Sequence, residues 1–201
     1  MCSSDLGTGK YVVAWASNNQ EGVNSNFGIY GQLFGKDCTR VGLEFAVNST
    51  TAGEQSYPVV AAQNDGTFLV AWQAAGQDGG GYGIYAQKFT SSAAKDGSEF
   101  RMNAFTTGDQ MYPALAFLGA GGYVGAWQTV GEDEDGNGLK AQNFKADGTK
   151  DFLDYVPNIT TTSGQTSVKM AGFQSGSAYV MAWRSNAQDG DKGAVILRLF
   201  K

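Results

Sequence analysis

The stretch Phe68-Leu69-Val70-Ala71-Trp72, followed by Gly83-Ile84-Tyr85-Ala86-Gln87-Lys88-Phe89, decides the fold because the chain repeats it. The run ending in tryptophan returns as Tyr11-Val12-Val13-Ala14-Trp15, Tyr123-Val124-Gly125-Ala126-Trp127 and Tyr179-Val180-Met181-Ala182-Trp183. The four tryptophans are therefore spaced by 57, 55 and 56 residues. The second run returns as Gly28 to Phe34, as Gly138 to Phe144 and, degenerately, as Ala194 to Phe200. Working outward, Glu44-Phe45-Ala46-Val47-Asn48 matches Glu99-Phe100-Arg101-Met102-Asn103 and, eroded, Phe152 to Asn158. Tyr57-Pro58-Val59-Val60-Ala61 matches Tyr112-Pro113-Ala114-Leu115-Ala116 and, eroded, Ser167 to Ala171. Four elements in register at one period mark a repeat architecture.

Each element is short, alternating or continuously apolar, and bounded by turns such as Asn64-Asp65-Gly66-Thr67, the pattern of β-strands. No segment carries apolar residues at helical spacing over three turns. Four antiparallel strands in about 55 residues make the blade of a β-propeller. The small, apolar Tyr-Pro run suits the innermost strand A. The tryptophan run suits strand B, the Gly-Ile-Tyr-Ala-Gln run strand C, and the Glu-Phe run the outer strand D. The expected fold class is all-β: a propeller-like array of four-stranded antiparallel blades, with the tryptophans packed between neighbouring blades. Fourteen strands are expected, in a partial blade over 7–48, full blades over 49–103 and 104–158, and a partial blade over 159–201. Residues 1–6 fit no element and read as a translated adapter sequence, so they are set aside. The ends supply no spare strand to close a ring. The chain therefore reads as a fragment of a longer array, with blade faces open at both ends.

The composition removes several function classes. The 201 residues include 29 glycines and no histidine. Without histidine there is no Ser-His-Asp or Cys-His catalysis and no zincin-type metal site. The net charge of −5 argues against an electrostatic nucleic-acid partner. No apolar run approaches the roughly 20 residues that span a bilayer as a helix, so no membrane span is expected. With Cys2 in the set-aside segment, Cys38 is a lone thiol and leaves the redox compartment open.

In a blade ordered A-B-C-D, the B–C and D–A loops emerge at one face. Sorting charges by that rule gathers Glu21, Glu54, Asp78, Asp109, Glu132 to Asp135, Asp189 and Asp191 there, against Lys192. Such a face attracts cations. The B–C loop repeats Gln20-Glu21-Gly22, Gln77-Asp78-Gly79 and Gln188-Asp189-Gly190 at a fixed distance from tryptophan, which is first of all turn chemistry. The stretch Asp133-Glu134-Asp135-Gly136-Asn137-Gly138-Leu139 adds a sharper reading. Asp133, Asp135, Asn137 and the Leu139 carbonyl fall at positions 1, 3, 5 and 7 of a Ca²⁺ loop. Phe144 stands where the bidentate glutamate belongs, so the site would be incomplete; Asp189 and Asp191 form a thinner version. The D–A loop repeats Thr50 to Gln55, Thr106 to Gln110 and Thr161 to Gln165. Gln55, Gln110 and Gln165 read first as a clasp between blades and second, with Asp78 and Asp109, as glycan ligands. Asn48-Ser49-Thr50 and Asn158-Ile159-Thr160 match the N-glycosylation sequon.

The phrase Val70-Ala71-Trp72-Gln73, then Gly76 to Phe89, Gly97 to Asn103 and Gly108 to Pro113, resembles tandem repeats of very large secreted or surface proteins. Those proteins are mostly bacterial, often with calcium-binding RTX or cadherin-like neighbours. The resemblance covers residues 7–201 and weakens toward the C-terminus. It implies an extracellular or cell-surface, adhesin-like repeat region with no catalytic residues. The expectation is thus a non-enzymatic scaffold or binding surface, stiffened by Ca²⁺. Its partners would be glycans, surface proteins or the neighbouring repeats of the same chain. The alternatives are a carbohydrate-binding, lectin-like propeller and the non-catalytic part of a larger secreted enzyme such as a glycosidase. The strand order also resembles sialidase propellers. The Ser-x-Asp-x-Gly-x-Thr-Trp box is missing, however, and Arg40, Arg101, Arg184 and Arg198 fall in outer or loop positions, so no sialidase is expected.

Overall fold

The computed structural model describes residues 2–7, 9–20, 26–119, 121–131, 136–173, 176–186, 188 and 193–201. The first strands are β1 (Cys2–Asp5), β2 (Tyr11–Asn18), β3 (Phe27–Phe34) and β4 (Arg40–Ala46). Then come β5 (Gln55–Ala62), β6 (Phe68–Ala75), β7 (Tyr82–Phe89) and β8 (Lys95–Arg101). The third set is β9 (Asp109–Phe117), β10 (Tyr123–Val130), β11 (Asn137–Phe144) and β12 (Lys150–Tyr155). The last is β13 (Gln165–Gly172), β14 (Tyr179–Ser185) and β15 (Ala194–Phe200). They form four sheets whose strand order follows the chain, three of four strands and a last one of three. All-β blades of a propeller are thus present, and β5 lies against β1 and β9 as β9 lies against β13.

One expectation fails. Among the described residues there are fifteen strands, because the set-aside segment forms β1 and pairs with β2 from Cys2 opposite Ala14 to Asp5 opposite Tyr11. The first sheet therefore begins before residue 7 and has its inner strand. Strand pairing is made by backbone N–H and C=O groups. An extended stretch beside the free edge of β2 can pair without any side-chain periodicity. Leu6, just beyond it, is buried in the first core.

Three apolar layers fill the spaces between consecutive sheets. In each, the large face of one sheet meets the small face of the sheet before it. Phe68, Val70 and Trp72 pack on Val12, Ala14 and Ile29. Tyr123 and Trp127 pack on Leu69, Ala71, Ile84 and Ala86. Tyr179, Met181 and Trp183 pack on Val124, Ala126, Leu139 and Ala141. Strict alternation along strands B and C sends the two sets to opposite faces. An aromatic pair recurs at one end of each B–C hairpin: Tyr11–Phe34, Phe68–Phe89, Tyr123–Phe144 and Tyr179–Phe200, stacked at 4.8 to 5.2 Å.

The glutamine of strand C organises strand D. Opposite Gln32, Gln87 and Gln142 the ladder skips, leaving a bulge on β4, β8 and β12. Each glutamine Nε2 donates to carbonyls of that bulge, at 3.1 Å to Val41, 3.1 Å to Gly97 and 3.0 Å to Phe152. The bulge residue is left-handed: Gly42 at φ 72°, Gly97 at 78° and Phe152 at 67°. Only glycine takes that conformation without a Cβ penalty. Phe152 is 88% exposed, so its ring returns little for the strain. Phe152→Gly is expected to stabilise the fold by roughly 0.5–1 kcal/mol, the left-handed penalty less glycine's extra unfolded-state entropy. A urea titration reads this, and a loss of stability would show that the ring packs usefully.

Three hairpin turns share another device. Asp37, Asp65 and Asp147 each accept from the N–H and the hydroxyl of the threonine two residues on, with the hydroxyl at 2.7 Å. The threonine hydroxyl, with its N–H, holds each carboxyl below the ordinary aspartate range. A depressed folded-state pKa means that the unfolded chain binds protons first as pH falls. The stabilisation is complete above about pH 4, the unfolded value, and is lost below it. The melting temperature should therefore drop more steeply on acidification below pH 4 in the parent than in a Thr39→Ala/Thr67→Ala/Thr149→Ala variant; parallel curves would remove the turns as the cause.

Candidate axial cleft

The inner strands carry a second bulge. The ladder skips between Ser56 and Val59 on β5, between Met111 and Ala114 on β9 and between Thr166 and Lys169 on β13. Tyr57 (φ 53°), Tyr112 (φ 54°) and Ser167 (φ 58°) are left-handed there. Tyr57 and Tyr112 each precede a proline, where extended conformations are preferred. Left-handed tyrosines are strained, and such strain concentrates at functional sites. The Tyr112 N–H is held by Gln73 Oε1 at 3.1 Å, a contact from the preceding sheet.

The bulge turns both rings out of the strand and toward the propeller axis. Tyr57 and Tyr112 meet edge to face at 4.8 Å and remain 54% and 39% exposed. Together with Gln128, Thr166 and Lys169 they line a cleft of about 690 Å³. A second hollow, of about 420 Å³, lies at the other ends of the inner strands, lined by residues such as Ala61, Leu115, Phe117 and Met170. It lacks an aromatic pair in contact and any strained residue, so the first cleft is the better candidate site.

Tyr82 is raised above the usual phenol range, first by burial and then by Glu54, Asp109, Tyr57 and Tyr112 in turn. Asp109 accepts the Tyr82 N–H at 3.0 Å. Gly81 lies tight against that carboxylate, since a Cβ there would fall 2.0 Å from Asp109 Oδ1. Gly80 and Gly81 are thus packed against the next D–A loop. That contact places the B–C and D–A loops at one face, as the strand order requires.

The sequence-predicted ligands separate here. Gln55, Gln110 and Gln165 are fully buried and cannot be glycan ligands. Their Nε2 atoms donate to the loop carbonyls of Ala52 and Gly53, Thr107 and Gly108, and Thr162 and Ser163. Their Oε1 atoms accept from Asn48, Asn103 and Asn158 at 3.4, 3.0 and 3.2 Å. The clasp closes the loop that joins consecutive blades. It also buries Asn48 and Asn158, so the two sequon asparagines are inaccessible. Asp78 serves its own turn, accepting from Gly80 N–H at 3.1 Å and from Asn103 Nδ2 at 3.4 Å. Asp109 is turned to the Tyr82 N–H, and no described member of the predicted set lines the cleft. The outer strands add a latch: Glu99 accepts from Ser49 N–H at 2.6 Å and Asp154 from Ala104 N–H at 3.1 Å.

The Ca²⁺ expectation rests on Asp133, Asp135, Asp189 and Asp191, which lie outside the described residues. Asn137 opens β11 and Leu139 sits within it, its side chain in the third core. Among the described residues, no three acidic or cysteine side chains converge on a point.

No family model matches the sequence, and no curated protein matches it. Solved structures match in shape. An endo-arabinase from Bacteroides thetaiotaomicron is similar with a TM-score of 0.62 at 9% identity, over 99% of this chain and 73% of that one. A protein of unknown function from Dyadobacter fermentans gives 0.65 at 11%, over 96% of this chain and 51% of its own. An α-L-arabinofuranosidase of Fusarium graminearum, solved with arabinobiose, gives 0.55 at 15%, over 94% and 59%. This chain thus spans about half to three-quarters of their lengths. The expectation that the chain is not an enzyme is overturned by these neighbours, since two of the three are enzymes built on the fold it adopts from end to end. The chain has the all-β propeller fold on which such glycoside hydrolases are built.

Proposed function

We propose that the chain is a glycosidase-type propeller that takes an arabinose- or xylose-containing glycan in the axial cleft. The observation that supports this reading is the Tyr57–Tyr112 pair, strained, exposed and edge to face at the mouth of the cleft. Sugar rings present apolar faces that stack on aromatic side chains, while Gln128 and Lys169 supply hydrogen-bond donors nearby. Glycoside hydrolysis uses an acid to protonate the leaving oxygen and a second carboxylate as base or nucleophile. Asp109, whose carboxylate accepts the Tyr82 N–H, and Glu54, at the equivalent position of the preceding blade, are assigned these roles. The substrate class follows the arabinase, arabinofuranosidase and endo-1,4-β-xylanase activities that similar solved structures are named for. A secreted setting suits a protein acting on polysaccharide.

Calorimetric titration with arabino- and xylo-oligosaccharides tests binding. Tyr57→Ala and Tyr112→Ala should each weaken it about tenfold, the roughly 1.4 kcal/mol of one stacked ring. Release of reducing ends tests turnover, and Glu54→Gln or Asp109→Asn should abolish it with binding retained. No binding to any of these glycans, or equal binding by the tyrosine variants, would sink the reading. Binding without turnover in the parent would move the catalytic carboxylates elsewhere.

A further inference from the structure

The inner-strand bulge is built three times, and its third copy lacks the aromatic ring. Tyr57, Tyr112 and Ser167 hold the same place in β5, β9 and β13, each at a φ between 53° and 58°. Tyr57 and Tyr112 set their rings edge to face at 4.8 Å. A tyrosine at 167 would bring a third ring to Tyr112 in the same way. Serine leaves that place open to the cleft, which Ser167 lines. The repeat is broken a second time beside it. Gln73 follows the tryptophan of β6 and reaches the next sheet, where its Oε1 accepts the Tyr112 N–H. Gln128 follows the tryptophan of β10 in the same register. Trp127 faces the sheet before, so by alternation Gln128 faces the sheet after. It makes no matching bond to Ser167: among the described residues, its side-chain amide has no hydrogen-bond partner. Yet Gln128 is only 6% exposed, and it lines the cleft. An amide so placed is unfavourable unless something else supplies its bonds.

We propose, on the glycan reading of the cleft, that one sugar ring occupies the place of the missing third ring and that Gln128 selects it by its hydroxyls. The gap lies between the third and fourth sheets, with Tyr112 on one side and Thr166 and Lys169 on the other. A sugar ring suits both of its chemistries. Its apolar C–H face packs on the Tyr112 ring, where the repeat would have put an aromatic one. Its hydroxyls both donate and accept, and the Gln128 amide offers two N–H donors and an acceptor carbonyl. An aromatic ligand would fill the same place but leave the amide without partners. A sugar lacking hydroxyls where the amide points is disfavoured for the same reason, since a site built to bond a hydroxyl discriminates strongly against its absence. Ser167 thus makes the room, and Gln128 is the specificity-determining residue.

Calorimetric titration of the full chain with arabinotriose and xylotriose tests this, beside a thermal melt of each variant. Ser167→Tyr should rebuild the third ring and abolish binding. Ser167→Gly keeps the room and the left-handed backbone, and should bind as the parent does. Gln128→Leu should weaken binding about tenfold, as the loss of hydrogen bonds to the sugar. Its melting temperature should be unchanged or higher, because the amide gives up no partner in the protein. Gln128→Leu carries the test if circular dichroism shows that Ser167→Tyr does not fold. Parent-like binding by Ser167→Tyr, in a protein whose Tyr57→Ala variant binds more weakly, would overturn the subsite and leave the glycan reading standing. A Gln128→Leu chain that binds like the parent, or melts lower, would do the same. No binding of either sugar by the parent would overturn both.

Discussion

Trp72→Ala should destabilise the protein by about 3–5 kcal/mol, the cost of emptying a large buried aromatic site. Trp72 is fully buried between the first and second sheets, against Val12, Ala14 and Ile29. Those neighbours are small and belong to strands fixed by ladders on both sides, so the cavity cannot collapse. The loss is a large share of the 5–15 kcal/mol that a domain holds. Trp15→Ala, at the same position of the first blade but half-buried, should cost less than half as much in the dilute chain. Trp72→Phe should also be milder, since no described residue accepts from the buried Trp72 indole N–H and phenylalanine removes that donor. Guanidinium titrations of the three variants decide the matter. Equal losses at Trp15 and Trp72 would refute the layered packing.

Asn103→Ala should cost about 2–4 kcal/mol by leaving several buried groups without partners. Asn103 is fully buried. Its Oδ1 accepts the Ile84 N–H at 2.8 Å, which ties strand C to the loop that leaves the blade. Its Nδ2 donates to Phe105 O at 2.5 Å and to Gln110 Oε1 at 3.0 Å. Alanine leaves the Ile84 donor and the Gln110 acceptor buried and unpaired. Asn103→Asp should fare no better at neutral pH. It restores the acceptor for Ile84 but sets a carboxylate oxygen against Gln110 Oε1. If Asn103→Asp were as stable as the parent, the clasp would not be the lock described.

Much of the fold was legible because it rests on side-chain periodicity. The spacing of Trp15, Trp72, Trp127 and Trp183 gave the blade, and alternation along 68–72 and 83–89 gave the two packing faces. The first inner strand was not legible, because β1 is held by backbone pairing to β2 and has no pattern of its own. The clasp role of Gln55, Gln110 and Gln165 is visible in their repetition, while their partners Asn48, Asn103 and Asn158 stand in the sequence only as motif ends and, for Asn48 and Asn158, as sequon asparagines. The cleft tyrosines were missed for a physical reason. Tyr57 and Tyr112 lie in runs of small residues that suit an inner strand, and only the bulge, with its positive φ, turns them outward. The available signal was a large aromatic before proline in an otherwise small strand, since proline within a sheet marks an edge or a bulge. The acidic residues of that face stand out in the sequence, yet no described one of them lines the cleft.

The most direct test of the axial cleft is a crystal structure of the chain soaked with arabinobiose. The assignment predicts a sugar ring against Tyr57 or Tyr112, with its hydroxyls within reach of Gln128, Lys169, Glu54 or Asp109. Sugar bound at the opposite mouth, against Phe117 and Met170, with the tyrosine cleft empty, would contradict it.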